Sequence, residues 1–281
     1  MKKALILLLF CLSFFISDIV NSQTKGYENG SLIVIGGGRM TDDIIKEFYN
    51  LSGGASAKIV VIPTANVIDN RIDSARIKAT FKRFGFTNIT IMHTSNPKEA
   101  NKENFIKPLR EATGIFFSGG RQWRIADGFL NTKAHQEMFK LLDRGGVIAG
   151  SSAGATIQGS YLARGDSKSN QIMMGDHEEG LGFITNIAID QHVIARNRQF
   201  DIFEILKAKP ELLGIGIDES TAIVVKGDTF KVIGKSYVII YDDTFWSREG
   251  SRLKKLPLKD QLFYHLKNGD RYNLKERKVI R

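Results

Sequence analysis

A short apolar run in the middle of the chain ends in a Gly/Ser turn, Val147-Ile148-Ala149-Gly150-Ser151-Ser152-Ala153-Gly154. Its last five residues match G-x-S-x-G, and residues 155–162 are compatible with a helix. A sharp strand-to-helix turn of this kind holds its central serine in a strained conformation above the end of a sheet. Ser152 is therefore a candidate nucleophile, with the N–H of Ala153 directed at the oxyanion. A glycine-rich turn needed only for packing is the alternative.

The segments around this turn alternate between apolar runs and amphipathic patterns. Runs of strand length occur at residues 31–35, 57–63, 88–92 and 114–117, with helical spacing between them. Near-continuous apolar strands separated by helices are typical of a mostly parallel sheet with helices on both faces. The sequence therefore predicts a three-layer α/β fold.

The C-terminal part shows a different pattern. Short runs at residues 221–225, 229–233 and 237–241 are joined by polar turns. They predict a C-terminal antiparallel extension, a meander on the edge of the sheet. Before it, residues 187–193 predict a strand that leads into a helix through Leu213. We expect residues 23–281 to form a single domain.

The first 22 residues differ from the rest. A basic start, Met1-Lys2-Lys3, precedes an apolar stretch over residues 4–16, and Ser22 is small. This pattern is typical of a secretory signal peptide, whereas a transmembrane helix needs about 20 apolar residues. The sequence therefore predicts a signal peptide over residues 1–22 and a secreted or periplasmic protein. Cys11, the single cysteine, lies in this segment, so the mature chain would have neither a disulfide nor a thiol nucleophile.

Charge and motif spacing exclude other classes of site. The net charge is +10, but the charges are spread along all 281 residues without a basic cluster, so we expect no nucleic-acid partner. No His, Cys or carboxylate group has metal-ligand spacing. Gly36-Gly37-Gly38 lacks the G-x-G-x-x-G spacing of a dinucleotide site.

A serine nucleophile needs a base, and His192 is the candidate. Polar residues gather at the end of its predicted strand, because Asp190 and Gln191 precede it and Arg196 and Arg198 follow. Parallel sheets place their sites at such strand ends. A histidine satisfied inside the core is the alternative. The other histidines outside the leader are interpreted as exposed: His93 ends a predicted strand, His135 and His265 lie in helical patterns, and His177 lies in a polar run.

The acid that would orient the imidazole has three candidates. Glu219 follows the apolar run 214–217 and therefore falls at a strand end. Asp166 and Asp190 compete with it. Asp190 shares a strand face with His192, which suits a substrate contact better than a relay. An exposed loop position is the alternative for these carboxylates.

A second strand-to-glycine turn spans residues 116–122. The amides of Gly119 and Gly120 could complete an oxyanion hole there. Gln122 could then hold the substrate backbone. A plain helix start is the alternative.

Four motifs occur in a fixed order: Phe-Phe-Ser-Gly-Gly-Arg-Gln at 116–122, Gly-Ser-Ser-Ala-Gly-Ala at 150–155, Asp-Gln-His at 190–192 with two following arginines, and Gly-Ile-Gly-Ile-Asp-Glu-Ser-Thr-Ala at 214–222. Together they resemble the S51 serine peptidases, the family of cyanophycinase and aspartyl dipeptidase (peptidase E), over about residues 31–242. The resemblance implies a fold similar to class I glutamine amidotransferases, which is flavodoxin-like.

The resemblance also implies a Ser-His-acid mechanism without a cofactor. Ser152 would be the nucleophile, His192 the base and Glu219 the acid. The substrate would be a peptide that contains Asp, in β-linkage for the cyanophycin-like members. Five residues match the family's substrate pocket: Gln122, Asp190, Gln191, Arg196 and Arg198.

Two other classes of function compete with a peptidase. The intact triad argues against a non-catalytic peptide-binding protein on the same scaffold. Serine at position 152, in the strand-to-helix turn, argues against an amidotransferase-like enzyme, which needs a cysteine at this place. The oligomeric state stays open, with a homodimer among the arrangements allowed.

Two positions depart from the cyanophycinase pattern, since Val193 replaces an aromatic residue and Asp201 replaces a third arginine. If the chain is helical after His192, positions 198 and 201 share a face. Asp201 could then pair with Arg198 or attract a basic group of the substrate, unless it is a solvated residue outside the pocket. The peptidase class survives this change, but cyanophycin as the substrate does not follow.

Overall fold

The computed structural model describes residues 23–69 and 71–281. The predicted signal peptide and Cys11 lie outside these residues. Within the two described ranges, no helix is both long enough and apolar enough to cross a bilayer.

Helices and strands alternate in the first half of the chain, and strands dominate the second half. The strands are β1 (Ser31–Ile35), β2 (Lys58–Ile62), β3 (Asn88–Ile91), β4 (Gly114–Phe117), β5 (Val147–Ser151), β6 (Gly159–Tyr161), β7 (Ile184–Gln191), β8 (Leu213–Ile217), β9 (Thr221–Lys226), β10 (Thr229–Gly234), β11 (Tyr237–Tyr241), β12 (Tyr264–Lys267), β13 (Arg271–Asn273) and β14 (Lys278–Ile280). The α-helices are α1 (Asp42–Leu51), α2 (Ser74–Arg83), α3 (Glu103–Glu111), α4 (Gln122–Phe129), α5 (Lys133–Asp143), α6 (Ala153–Thr156) and α7 (Phe203–Ala208).

The larger sheet has nine strands in the order β14-β13-β10-β9-β1-β5-β4-β2-β3. The half that runs from β1 to β3 is parallel. The half that runs from β9 to β14 is antiparallel. This arrangement confirms the predicted α/β class with a C-terminal antiparallel extension.

A second sheet of five strands has the order β12-β11-β8-β7-β6. The predicted meander assigned β11 to the same sheet edge as β9 and β10, and this was wrong because β11 pairs with β8. The connection after Gly234 crosses over Thr221, whose hydroxyl accepts from the N–H of Ser236 at 2.8 Å. The chain therefore reaches Tyr237 beside Asp218, whose N–H donates to the Tyr237 carbonyl at 3.1 Å.

The core lies on both faces of the larger sheet. Successive residues of β1 alternate between the two faces: Leu32 and Val34 join one buried apolar cluster, and Ile33 and Ile35 join another. The first cluster also contains Leu213 and Ile215 of β8. The second sheet is therefore packed against the first through a shared apolar interior.

Several local predictions near the turn at Ser152 were wrong. The helix expected over residues 155–162 is the short α6, because Ser160 and Tyr161 lie in β6, beside β7. The helix expected to reach Leu213 is only α7, since the chain makes turns between His192 and Ile202. Strand pairing and turns thus replace helix on both sides of β7.

Three of the four histidines interpreted as exposed differ from that interpretation, because His93 and His177 are half-buried and His135 is buried. His135 is buried, and its Nε2 lies 2.8 Å from the carbonyl oxygen of Leu181, so it is a core residue with a satisfied ring. His265 is exposed as predicted but lies in β12, where it pairs with Ile239 in β11. The burial of His135 and the strand position of His265 both depend on contacts with residues distant in sequence, which a local sequence pattern does not contain.

Candidate active site

The turn after β5 holds Ser152 at the carboxyl end of the parallel strands. Ser152 has φ 56° and ψ −113°, and its N–H donates to the carbonyl of Ile35 at 2.9 Å. A Cβ at Gly154 would lie 2.3 Å from the carbonyl oxygen of Phe117. Only glycine therefore allows the turn to approach β4 this closely.

Ser152, His192 and Glu219 form one hydrogen-bonded line. The Ser152 Oγ lies 2.9 Å from the His192 Nε2, and the His192 Nδ1 lies 2.5 Å from the Glu219 Oε1. The sequence assigned these three residues to three separate strand ends, and the structure brings them together. Ser152 can donate to a neutral imidazole whose other nitrogen donates to the carboxylate.

The backbone at this line is strained. His192 and Ser220, which follows Glu219, each have φ 56°, like Ser152. Left-handed conformations of non-glycine residues are costly and gather at functional sites. Hydrogen bonds to the first glycine-rich turn hold two of them, since His192 N–H donates to Gly36 O at 3.0 Å and Ser220 N–H to Gly37 O at 2.9 Å.

Gly37 packs against the imidazole, a role that the sequence did not reveal. Its φ is +119°, and a Cβ there would lie 2.2 Å from the His192 Cε1. The spacing of the glycines after β1 bears only on a dinucleotide site, which it does not fit. Its actual contact crosses from one sheet to the other, so only the fold could show it.

Burial lowers the pKa of His192 below its usual value, and the nearby Arg196 and Arg198 act in the same direction. The hydrogen bond and charge of Glu219 oppose this shift. The net direction keeps the imidazole neutral at neutral pH. A neutral Nε2 can accept the proton of Ser152.

The two competing carboxylates have other partners. Asp166 accepts from the N–H groups of Lys168 at 2.9 Å and Ser169 at 2.8 Å, and so stabilises a turn. Asp190 binds Arg164 through both oxygens, at 2.8 and 2.9 Å. Of the three candidate acids, Glu219 is the one that hydrogen-bonds His192.

The three residues predicted to form the oxyanion hole do not lie equally close to Ser152. Ala153 is the first residue of α6, where backbone N–H groups have no intrahelical acceptor. Gly119 lies close to Ser152, because a Cβ there would be 3.2 Å from the serine Cβ and 3.7 Å from its Oγ. Gly120 packs instead against the carbonyl of Ala65. Ala153 and Gly119 are therefore the better placed pair.

Gln122 and Gln191 are both buried. The Gln122 Nε2 donates to the carbonyls of Ala163 and Arg164, each at 2.8 Å. Both its N–H groups are thus used, and only its carbonyl oxygen remains for a ligand. The Gln191 Oε1 is buried and has no hydrogen-bond partner in the described part of the chain.

Arg196 and Arg198 differ in environment. Arg196 is exposed, whereas Arg198 is 5% exposed and its Nη1 has no hydrogen-bond partner among the described residues. Burial, together with the charge of Arg164, lowers the pKa of Arg198. A buried guanidinium with an unused donor suits the binding of a carboxylate.

Arg164 is a buried residue beside the site that the sequence did not single out. Besides Asp190, it binds Asp201, whose Oδ2 lies 2.6 Å from the Arg164 Nη2. Of the alternatives considered for Asp201, the pairing with Arg198 is not found, since its partner is Arg164. Arg164 is fully buried and needs several acceptors, and it takes both carboxylates. Asp190 is thus an internal ion-pair partner, and any part it has in substrate binding is indirect.

Comparison with known proteins agrees with this geometry. The model of peptidase family S51 matches residues 32–233. A cyanophycinase from Geminocystis herdmanii is 31% identical over 264 residues, which cover 89% of this chain and 96% of the relative. A cyanophycinase from Trichormus variabilis is 29% identical over 265 residues, covering 89% and 87% of the two chains.

A solved structure is also similar. The crystal structure of a peptidase from an acI-B1 Actinobacterium superposes with a TM-score of 0.65 at 26% identity, covering 88% of this chain and 98% of the other. The family match spans most of the chain and includes the turn at Ser152, His192 and Glu219. The chain therefore belongs to peptidase family S51 and is a serine peptidase.

Proposed function

We propose that this peptidase hydrolyses peptides that contain aspartate, including β-aspartyl linkages, with Ser152 as nucleophile, His192 as base and Glu219 as the orienting acid. The continuous hydrogen-bonded line from Ser152 to Glu219 carries the proposal. It resembles the arrangement in which a serine gives its proton to a histidine that a carboxylate orients.

In the first step the Ser152 Oγ attacks the carbonyl carbon of the scissile bond. Its proton moves to the His192 Nε2, and the Glu219 carboxylate stabilises the imidazolium that forms. The N–H of Ala153, with the turn at Gly119, would stabilise the negative charge on the carbonyl oxygen. His192 then gives the proton to the leaving amine, which departs and leaves an acyl group on Ser152.

In the second step water replaces the amine. His192 takes a proton from the water, the hydroxide attacks the acyl carbon, and the Ser152 oxygen leaves and recovers its proton from His192. The product acid is released and the enzyme returns to its starting state. His192 therefore mediates every proton transfer in both steps.

The preference for aspartate rests on Arg198. Its buried Nη1 has no hydrogen-bond partner among the described residues, and its charge lies close enough to His192 to help lower the pKa of that imidazole. A carboxylate of the substrate would satisfy that donor and recover the energy lost on burying the guanidinium. The similarity to cyanophycinases supports the same substrate class.

Incubation with a matched panel of substrates tests the proposal. The panel holds Asp-Ala in both its α-linked and its β-linked form, α-linked Asn-Ala, α-linked Glu-Ala and the polymer cyanophycin, and the products are identified by mass. We expect cleavage of the aspartyl peptides at a kcat/KM at least tenfold above that of the asparaginyl ones. Equal cleavage of aspartyl and asparaginyl peptides would contradict the aspartate preference.

We also propose that residues 1–22 direct export. The basic start and the apolar stretch over residues 4–16 support this, together with the small Ser22. Fractionation of cells that express the full chain should place the protein outside the cytoplasm, with Gln23 as its first residue. Retention of the leader on a cytoplasmic protein would contradict it.

A further inference from the structure

The loop between β6 and β7, residues 162–183, packs behind the glycine turn that follows β4. The Nε2 of Gln122 donates to two carbonyls at the start of this loop, each at 2.8 Å. The Nη2 of Arg121 donates to a third, the carbonyl of Asp166, at 2.7 Å. Both donors lie within three residues of Gly119, which is close to the nucleophile. The β6–β7 loop therefore supports the turn that would help to stabilise the oxyanion.

The later part of the same loop is bound to α4 by His177, a residue with no part in the reaction described above. The His177 Nδ1 lies 2.9 Å from the Asp176 Oδ1, and its Nε2 lies 2.9 Å from the Asp127 Oδ1 in α4. The ring also lies beside Trp123 of α4, with 5.9 Å between the two ring centroids. His177 thus joins the β6–β7 loop to the helix that begins at Gln122.

The two contacts of His177 need a doubly protonated ring. A neutral imidazole has one N–H donor and one acceptor nitrogen, whereas an imidazolium has two donors. An ionised carboxylate only accepts, so a neutral ring would donate to Asp176 or to Asp127 but not to both. Its other nitrogen would then face a carboxylate oxygen without a proton between them. The geometry therefore fits a positively charged His177 between two negative partners.

In the part of the chain that the structure describes, Asp127 and Asp176 are the charged groups that contact the ring. Asp176 is itself held by Ser167, whose N–H and hydroxyl both donate to it. Neighbouring charged residues act elsewhere: Glu178 pairs with Lys209, the charge of Glu179 acts on His135, and Arg124 donates to the carbonyls of Ala65 and Val67. The two aspartates therefore set the charge state of His177.

We propose that His177 is a positioning residue: in its protonated form it holds the β6–β7 loop to α4 and so keeps the turn at Gly119 in place beside Ser152. When His177 loses its proton, one of its two hydrogen bonds is lost and the loop loosens. The part of this inference that concerns the rate rests on the proposed function, in which the turn at Gly119 stabilises the oxyanion.

The two contacts of His177 should weaken as the pH rises. Burial alone would lower the pKa of His177, but the hydrogen bonds and charges of Asp176 and Asp127 outweigh it and raise the pKa above the ordinary value of 6.5. The stabilisation of the loop is therefore fully present below pH 6.5 and is lost as the pH passes the raised pKa. Since His192 has a lowered pKa and acts as the neutral ring, kcat/KM should decline on both the acidic and the alkaline side.

Hydrogen exchange of the loop tests the contact without any substrate. In the wild-type protein we expect the protection factors of residues 165–178 to fall about fivefold to tenfold between about pH 6 and about pH 9, which is the loss of roughly one charged hydrogen bond. In Asp127→Asn, which keeps an acceptor oxygen but removes the charge, the fall should occur at a lower pH. In His177→Gln the protection should be low and independent of pH.

His265→Gln is the matched control, because His265 is another histidine at the surface and has no ion pair among the residues that the structure describes. It should keep the wild-type pH dependence of the loop. Protection of the wild-type loop that does not change with pH overturns the proposal. So does a His177→Gln protein whose loop still loosens at alkaline pH, because another group would then be titrating.

The effect on the rate is measured separately, on a peptide that the wild-type protein cleaves. At about pH 6.5, His177→Gln should lose about fivefold in kcat with little change in KM, and its alkaline decline should disappear. A loosened loop with wild-type kcat would overturn the positioning role. If no peptide is cleaved, the proposed function fails, while the exchange data still decide whether His177 holds the loop to α4.

Discussion

The Nδ1 of His192 lies 2.5 Å from the Oε1 of Glu219. The two residues follow different strands of the second sheet, because His192 comes after β7 and Glu219 comes after β8, in the connection to β9. His192 is buried, whereas the Glu219 side chain is 39% exposed. The acid of this line is therefore partly solvated, whereas the ring that it contacts is enclosed. In the proposed mechanism it fixes the tautomer and orientation of a ring that the protein otherwise encloses.

Glu219→Gln should remove most of the activity while the fold persists. The amide has the shape of the carboxylate but no charge to stabilise the imidazolium, and it can present its NH₂ to Nδ1 and so favour the wrong tautomer. We expect kcat to fall by about 10³-fold or more, with a small change in KM. Steady-state kinetics on a β-aspartyl dipeptide measure both.

Asp166→Asn is the control for this variant, because Asp166 was a competing acid and the structure gives it a turn-stabilising role. It should keep kcat within a few fold of wild type. A larger loss in Asp166→Asn than in Glu219→Gln would contradict the assignment of the acid.

The pH profile should report the neutral form of His192. Since burial and the nearby arginines lower its pKa, kcat/KM should stay high as the pH falls to the ordinary histidine value of 6.5 and decline only below it. Arg196→Gln removes one positive charge that disfavours the protonated ring, so the acidic midpoint should move upward. Because Arg196 is exposed and solvent screens its charge, we expect this upward shift to be small. A downward shift would contradict the account.

Much of the candidate site could be predicted from the sequence because its polar residues directly follow predicted strands. Ser152, His192 and Glu219 each close an apolar run, and parallel strands bring such ends to one edge. Local sequence patterns therefore identified the three residues that the structure joins by hydrogen bonds. The local sequence pattern did not give the distances between these three residues.

The remainder depended on contacts between distant segments. Nothing around Arg164 marks it as buried, because its burial comes from Asp190 and Asp201, which approach from β7 and the turn before α7. The departure of β11 from the predicted meander has the same origin, in a crossing over Thr221. Periodicity describes an element and its faces, whereas these features are set by which elements meet.

Gly37→Ala tests the packing behind the imidazole. A methyl group there would overlap the His192 ring, at 2.2 Å from Cε1, and would displace Nε2 from Ser152. We expect kcat to fall by about 10²-fold or more, since an ångström of misplacement costs on that order. Kinetics together with thermal unfolding separate this effect from loss of the fold.

Gly53→Ala is a close control for that variant. Gly53 also has a positive φ, +102°, but no atom lies within 4 Å of the Cβ position. It should therefore show the backbone strain without the contact and keep wild-type kcat. Equal losses of activity in the two variants would mean that strain alone explains the effect of Gly37→Ala.

Arg198→Gln should weaken the binding of acidic peptides more than Arg196→Gln does. Arg198 is buried with an unused donor, whereas Arg196 is exposed and its charge is screened by solvent. We expect the KM for a β-aspartyl peptide to rise at least tenfold in Arg198→Gln and about threefold or less in Arg196→Gln. The reverse order of the two KM values would contradict the assignment of Arg198 as the carboxylate-binding residue.

The kcat of Ser152→Ala, compared with that of Ser151→Ala, tests the central claim most directly. The two serines are neighbours in one turn, and only the Ser152 Oγ lies within hydrogen-bonding distance of the His192 Nε2. The account predicts that Ser152→Ala loses about 10⁵-fold to 10⁶-fold in kcat while still binding the peptide, and that Ser151→Ala stays within about tenfold of wild type. Hydrolysis by purified Ser152→Ala at a rate near that of the wild type would contradict it.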